Sequence, residues 1–165
     1  MRVKTVAILL FLMSVLGVSP VFAADKPQEI GAAFCEARLH NDNRAMRSLL
    51  SPSLQKAIEE AEARNKIIAE ATPGEKTPFG DGIPYQSFPD QAPACQVGEV
   101  REVSGHAEVD INYAFPETPN ANWTDRLKLL SQAEGFLIDD ILFADVANGT
   151  PNQGLRRVLF EAFDQ

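Results

Sequence analysis

Asp139 and Asp140, together with His106 and Tyr113, are the side chains of this chain that could run acid–base chemistry. A carboxylate in an apolar setting has its pKa raised towards the range of a general base, and a tyrosine hydroxyl can polarise a carbonyl. Spacing restricts the combination. His106 shares an alternating polar row with Glu108 and Asp110 while Tyr113 falls on the opposite row, so on a regular strand the two do not line one pocket. Asp139 and Asp140 are neighbours and on a regular strand point to opposite faces, one inward and one to solvent. The plainer role for the inward one is a structural hydrogen bond to a loop or helix end.

Other chemistries have no signature here. His40 and His106 lack metal-ligand spacing and stand near no cysteine pair, so neither a metal nor another cofactor is expected. His106, Glu108 and Asp110 could at most hold a cation weakly on one strand face. There is no Gly-rich phosphate loop, Walker pattern or GxSxG elbow. Fifteen Lys and Arg against 23 Asp and Glu, with no basic cluster, exclude nucleic acid as the main partner, because phosphate neutralisation needs grouped cations. Hydrophobic residues at 45% and ten Phe are enough for a packed core.

Binding is the stronger expectation, and it centres on residues 72–93. Prolines and glycines there rule out regular structure, and Phe79, Tyr85 and Phe88 are set among them. Loops of this length in compact domains are often binding loops or lids, although one that simply covers its own core is the plainer alternative. Phe79, Asp81, Tyr85 and Phe88 are the candidate binding residues.

The start of the chain carries an address. Arg2 and Lys4 precede an apolar stretch from Val6 to Leu16, followed by Gly17, Pro20 and the run Val21-Phe22-Ala23. This is the pattern of a secretory signal peptide cleaved near Ala23, too short for the roughly 20 residues of a spanning helix. A periplasmic or secreted protein with no stable membrane span is therefore expected, made more acidic by the loss of Arg2 and Lys4. Such an acidic surface would suit a basic envelope protein as partner. In an oxidising compartment Cys35 and Cys95, the only cysteines, are expected to pair, with two separate buried thiols as the alternative. Asn122-Trp123-Thr124 and Asn148-Gly149-Thr150 match the glycosylation sequon, which matters only for a eukaryotic source.

The elements that must position these residues follow from periodicity. Ile30, Ala33, Phe34 and Ala37 mark a helix over Pro27 to Leu39, ended by Asn41, Asp42 and Asn43. Asp42 or Asn43 caps a short turn carrying Met46, Leu49 and Leu50. Ser51 with Pro52 starts a helix to about Ala71, with Leu54, Ala57, Ile58, Ala61 and Ile68 on one side and the pairs Glu60/Arg64 and Glu62/Lys66 on the other. After Cys95 the period becomes two. Val97, Val100 and Val103 lie in a strand with Gly98 as a bulge, and His106 to Tyr113 and Trp123 to Leu129 alternate, an acidic polar row facing a basic one. Phe136 to Ala144 is a fourth strand. Ser104-Gly105 and Glu134-Gly135 supply tight turns, and residues 116–122 a longer connection. Thr150, Pro151 and Gln153 read as a capping box for a last helix carrying Leu155, Val158, Leu159, Ala162 and Phe163. The expected class is α+β: N-terminal helices packed on a curved antiparallel sheet of about four strands, with a C-terminal helix, in a single domain over 24–165.

This order, with FCEARLHND at 34–42, LLSPSLQKAI at 49–58, PFGDG at 78–82 and GFLIDDILF at 135–143, resembles the nuclear transport factor 2-like superfamily. Within it the chain looks most like the secreted bacterial family catalogued as domain of unknown function 3828. The likeness spans roughly residues 28 to 145, and its motifs are mostly structural. The resemblance implies a cone-shaped sheet around helices with a pocket in its concave face, in a group that includes isomerases, dehydratases and non-catalytic binding proteins, some of which pair as homodimers through the sheet. Fold does not choose between these. The leading expectation is an exported, non-catalytic protein that engages a small ligand or a basic protein through the sheet concavity and the 72–93 loop. The alternative is a small-molecule isomerase or hydrolyase with the inward one of Asp139 and Asp140 as base and Tyr113 assisting.

Overall fold

The computed structural model describes residues 26–144 and 153–164; the expected signal peptide, the second sequon and the Thr150-Pro151 start of the expected capping box lie outside the described residues. Helix α1 (Pro27–Leu39) starts with Pro27 in its first turn, where the missing N–H costs nothing. The Asp42 carboxylate accepts from the backbone N–H groups of Arg44 and Ala45 to cap α2 (Asn43–Ser48), and the Ser51 hydroxyl accepts from Leu54 N–H to cap α3 (Pro52–Ala71). All three starts lie where local capping chemistry puts them.

Five antiparallel strands follow in simple meander order: β1 (Ala94–Val103), β2 (His106–Ala114), β3 (Trp123–Gln132), β4 (Gly135–Phe143) and the two-residue β5 (Gln153–Gly154). The sheet is thus one strand wider than expected. Gln153 belongs to β5, not to a capping box, and Gly154 in extended conformation precedes α4 (Leu155–Glu161). The loop over 72–93 has no helix or strand, as expected.

Register follows charge. Asp110 faces Arg126 and Glu108 faces Lys128 across β2 and β3. On that outer face Asp110 accepts from both Arg101 and Arg126 at 2.7 Å. The opposite rows are the core: Val109, Ile111, Leu127, Leu129, Ile138 and Ile141 lie fully buried against Ile30 and Phe34 of α1 and Leu54 and Ile58 of α3. Gly31 allows the close approach of α1, since a side-chain carbon there would meet Val109 at 2.9 Å and Val97 at 3.0 Å.

Two bulges break the ladders. One lies between Val97 and Val100, at the expected Gly98; the other makes Asp139 an extra residue on β4, between the pairs Leu129–Ile138 and Lys128–Asp140. On α3 the ion pairs differ from those expected. Glu60 pairs with Lys56 and Lys66 with Glu70, while Glu62 reaches across to Arg47 of α2 and Arg64 lies over the Phe163 ring. Tertiary packing of α2 and of the C-terminus against α3 therefore outweighs pairs worth only about 0.3–0.5 kcal/mol each on an open helix face.

A disulfide joins Cys35 of α1 to Cys95 of β1, with Cα atoms 5.3 Å apart. Closing a loop of this length removes unfolded-state entropy worth about 4 kcal/mol. Among the described residues no helix is long and apolar enough to cross a membrane.

Candidate binding clefts and the buried carboxylate

The inner face of the sheet is filled along its middle and opens towards the start of β3. Tyr113 and Trp123, register partners on β2 and β3, stack with ring centroids 4.6 Å apart. Phe88 from the long loop and Phe115 from the end of β2 meet the same indole at 4.9 and 5.9 Å. Around them lies a cleft of about 720 Å³ whose walls also include Thr118, Asn122 and Ala144. Its size and mixed lining, aromatic surface with a few hydroxyl and amide groups, are those of a small-molecule site.

Asp125 holds this corner together. It sits in the apolar row of β3, two residues from Trp123, and is fully buried. Its Oδ1 accepts from the Ser87 hydroxyl and from Ala144 N–H at 3.0 Å, and its Oδ2 accepts from Ser87 N–H at 3.0 Å and from the Trp123 indole N–H at 3.3 Å. Burial pushes the Asp125 carboxyl pKa up, against the lowering effect of those donors. Ser87 also accepts from Ala144 N–H at 2.7 Å, so one carboxylate ties the long loop and the exit of β4 to β3. The signal in the sequence was a single polar residue in the row Trp123, Asp125, Leu127, Leu129, and the expectations above did not include it.

The proposed catalytic residues do not converge. The β4 bulge removes the alternation that would have put Asp139 and Asp140 on opposite faces: both are half-buried, and Ile138 and Ile141 on either side take the core positions. Asp139 Oδ1 accepts from the Ser51 hydroxyl and from Arg156 Nη2, each at 2.6 Å. Asp140 Oδ1 accepts from the backbone N–H groups of Ile141 and Arg156. Gly154 lies against Asp140 so closely that any side chain there would collide with the carboxylate. The pair is a clasp between β4, α3 and α4. His106 is exposed on the outer face. Tyr113 is buried, as its row required, with its hydroxyl beside Arg38; burial and the charge of Asp125 keep it protonated far above its ordinary range.

A general base needs a lone pair aimed at the substrate. Asp125 is the inward carboxylate of the sheet, and its donors already occupy both oxygens. Among the described residues no three His, Cys, Asp or Glu side chains cluster as a metal site.

The candidate binding residues divide. Phe79 is buried and packs edge-on against Phe163 at 5.5 Å, with its N–H donated to Asn65, so it anchors the loop to α3 and the C-terminus. Asp81 is exposed and pairs with Lys76 at 2.5 Å. Tyr85 is buried in the wall of a second, polar cleft, and burial raises its pKa. Phe88 lines both clefts. Phe115 and Asn122 of the first cleft and Arg38 of the second went unforeseen, because each enters a site only through the path of a loop. No protein-family model, curated protein or solved structure matches this chain.

Proposed function

We propose that the protein is an exported, non-catalytic binding protein that takes a small, largely apolar ligand in the cleft at Trp123. The aromatic wall carries this reading: Phe88, Phe115 and Trp123 offer ring faces to one cleft, and the Asp125 latch fixes the indole and the loop before a ligand arrives. Preorganisation of that kind lowers the ordering cost of binding. The disulfide supports export, since such bonds persist in oxidising compartments. Helices over one face of an antiparallel sheet, with an opening at one end, are in keeping with the nuclear transport factor 2-like resemblance.

A small ligand fits better than a basic protein on the sheet. On the outer face Asp110 is engaged by two arginines and Glu99 by Arg101, so these two acids are not free for a cationic partner.

Trp123 is the only tryptophan, so it reports on its own cleft. Titration with the neutral aromatic probe N-phenyl-1-naphthylamine is expected to change its fluorescence saturably, and Phe88→Ala to weaken binding about tenfold, the loss of one well-packed aromatic contact. A non-saturating response, or an affinity untouched by F88A, would rule the cleft out.

A further inference from the structure

The second cleft, of about 590 Å³, lies where the end of α1 and the start of α2 meet residues 81–91 of the long loop. Arg38, Arg47, Asn41, Asn43, Tyr85 and Gln86 line it. Its charges are unequally matched. Arg47 is paired with Glu62 and Asp81 with Lys76, but Arg38 has no carboxylate within ion-pair distance among the described residues. In a chain with formal charge −8, a half-buried cation without an acid runs against the general rule that buried charge is paired.

The guanidinium is nonetheless firmly mounted. Its Nη2 donates to Gln86 Oε1 at 2.6 Å, and the Gln86 amide in turn donates to the carbonyls of Phe88 and Asp90. Gln91 donates to the carbonyls of Arg38 and Leu39 and accepts from Asn41. Asn41 itself adopts the left-handed conformation, φ 53°, that turns the chain out of α1 along the cleft. The buried Nε of Arg38 lies beside the equally buried Tyr113 hydroxyl, so the inner edge of the guanidinium faces that phenol. Gln86 and Tyr113 are both neutral, so among the described residues the positive charge of Arg38 is answered by no acid, and its cleft-facing edge is left for a ligand.

We propose that this cleft binds a small monocarboxylate, with the Arg38 guanidinium taking the carboxylate and the Asn41 and Asn43 amides lining its approach. A planar guanidinium matches a carboxylate fork to fork. The charge count selects the ligand class: one unmatched positive charge suits one negative charge, and a phosphate dianion would have to draw Arg47 away from Glu62. The 84–91 segment lies between this cleft and the one at Trp123, with Phe88 as a shared wall.

The test follows the Arg38 Nε–H resonance of the disulfide-intact protein by nitrogen-15 NMR during titration with acetate, benzoate and inorganic phosphate at constant ionic strength. Acetate or benzoate is expected to move that resonance saturably, more tightly than phosphate, without displacing N-phenyl-1-naphthylamine from the Trp123 cleft. Arg38→Lys, which keeps the charge and the stem but loses the fork, is expected to weaken carboxylate binding at least tenfold. Shifts that grow linearly and alike with all three anions, a preference for phosphate, displacement of the neutral probe, or an undiminished affinity in R38K would each overturn the proposal. The wild-type resonance answers first, so the result stands even if a variant folds poorly.

Discussion

Asp125 and the Asp139–Asp140 pair occupy opposite kinds of site in one sheet, and the contrast separates two ways of settling a carboxylate. Asp139 meets a full positive charge, the Arg156 guanidinium, at the half-exposed junction of β4 and α4. Asp125 meets only neutral donors and is shut off from solvent. A carboxylate beside an arginine at the surface can exchange that partner for water at little cost. A carboxylate in the core cannot, and the Ser87 and Trp123 N–H groups aimed at it lose their partner if it goes. The conspicuous acidic pair is therefore the adaptable one, and the solitary Asp is the one on which the shape of the corner around Trp123 depends.

Substituting asparagine at each position sharpens the comparison, because the shape is kept while one oxygen becomes a donor. The largest effect is expected at Asp125. Both of its oxygens accept two hydrogen bonds, so either orientation of an amide turns its NH2 towards at least one fixed N–H donor, Ala144 on one side or Ser87 and Trp123 on the other. Asp125→Asn should cost about 3 kcal/mol, read as a lower urea midpoint at neutral pH with the disulfide intact. The proton linkage has its own sign. The folded-state pKa is raised above the ordinary 3.8, so the folded protein holds this proton more tightly than the unfolded chain. The contribution is therefore present below the unfolded value and is lost as pH rises through the folded one. D125N should lack that segment of the stability–pH curve; an identical curve in both proteins would show that Asp125 does not titrate abnormally.

The same contrast explains what the sequence could disclose. Helices α1 and α3 begin where Pro27 and the Ser51-Pro52 pair place them, because capping is decided by a few adjacent residues. The alternation in β2 and β3 foretold the buried rows and the facing of Asp110 with Arg126, because one face of each strand must be dry. The bulge at Asp139 could not be read that way, since it exists only in the register between β3 and β4. Strand β5 is two residues long and has no period at all. Asp125 was visible as a polar interruption of an apolar row, yet its meaning depends on Ser87, which lies 38 residues away in a loop without periodicity. Arg38 looked like any basic residue near a helix end, and only the paths of the 81–91 segment and of Glu62 leave it unmatched.

A smaller effect is expected at Asp139. Its hydrogen bonds from Ser51 and Arg156 all arrive at Oδ1, so an amide can present its oxygen to both and turn its nitrogen away. What Asp139→Asn removes is the charge opposite Arg156, and Arg156 keeps its bonds to the Asp139 carbonyl at 2.6 Å and the Ser53 hydroxyl at 2.7 Å. The loss should be about 1 kcal/mol and should shrink in high salt, as for other part-exposed ion pairs. A salt-independent loss as large as that of D125N would mean that the clasp is a core feature and would erase the distinction between the two sites.

Asp140→Asn should be the mildest of the three. Among the described residues Asp140 makes no salt bridge, and its Oδ1 accepts from two backbone N–H groups, Ile141 at 2.9 Å and Arg156 at 3.1 Å. An amide oxygen can accept both, leaving only the weaker attraction between a neutral acceptor and the N–H at the start of α4, a change of roughly 0.5 kcal/mol. The adjacent residues 139 and 140 would then differ from each other by less than either differs from Asp125. If D140N instead destabilised as strongly as D125N, the close seat of Gly154 against the carboxylate would be the reason, because the amide hydrogens would have to fit where that backbone leaves no room. Asp140→Ala separates the two causes: it removes the crowding along with the acceptor, so a milder loss in D140A than in D140N would assign the cost to packing at β5, not to charge.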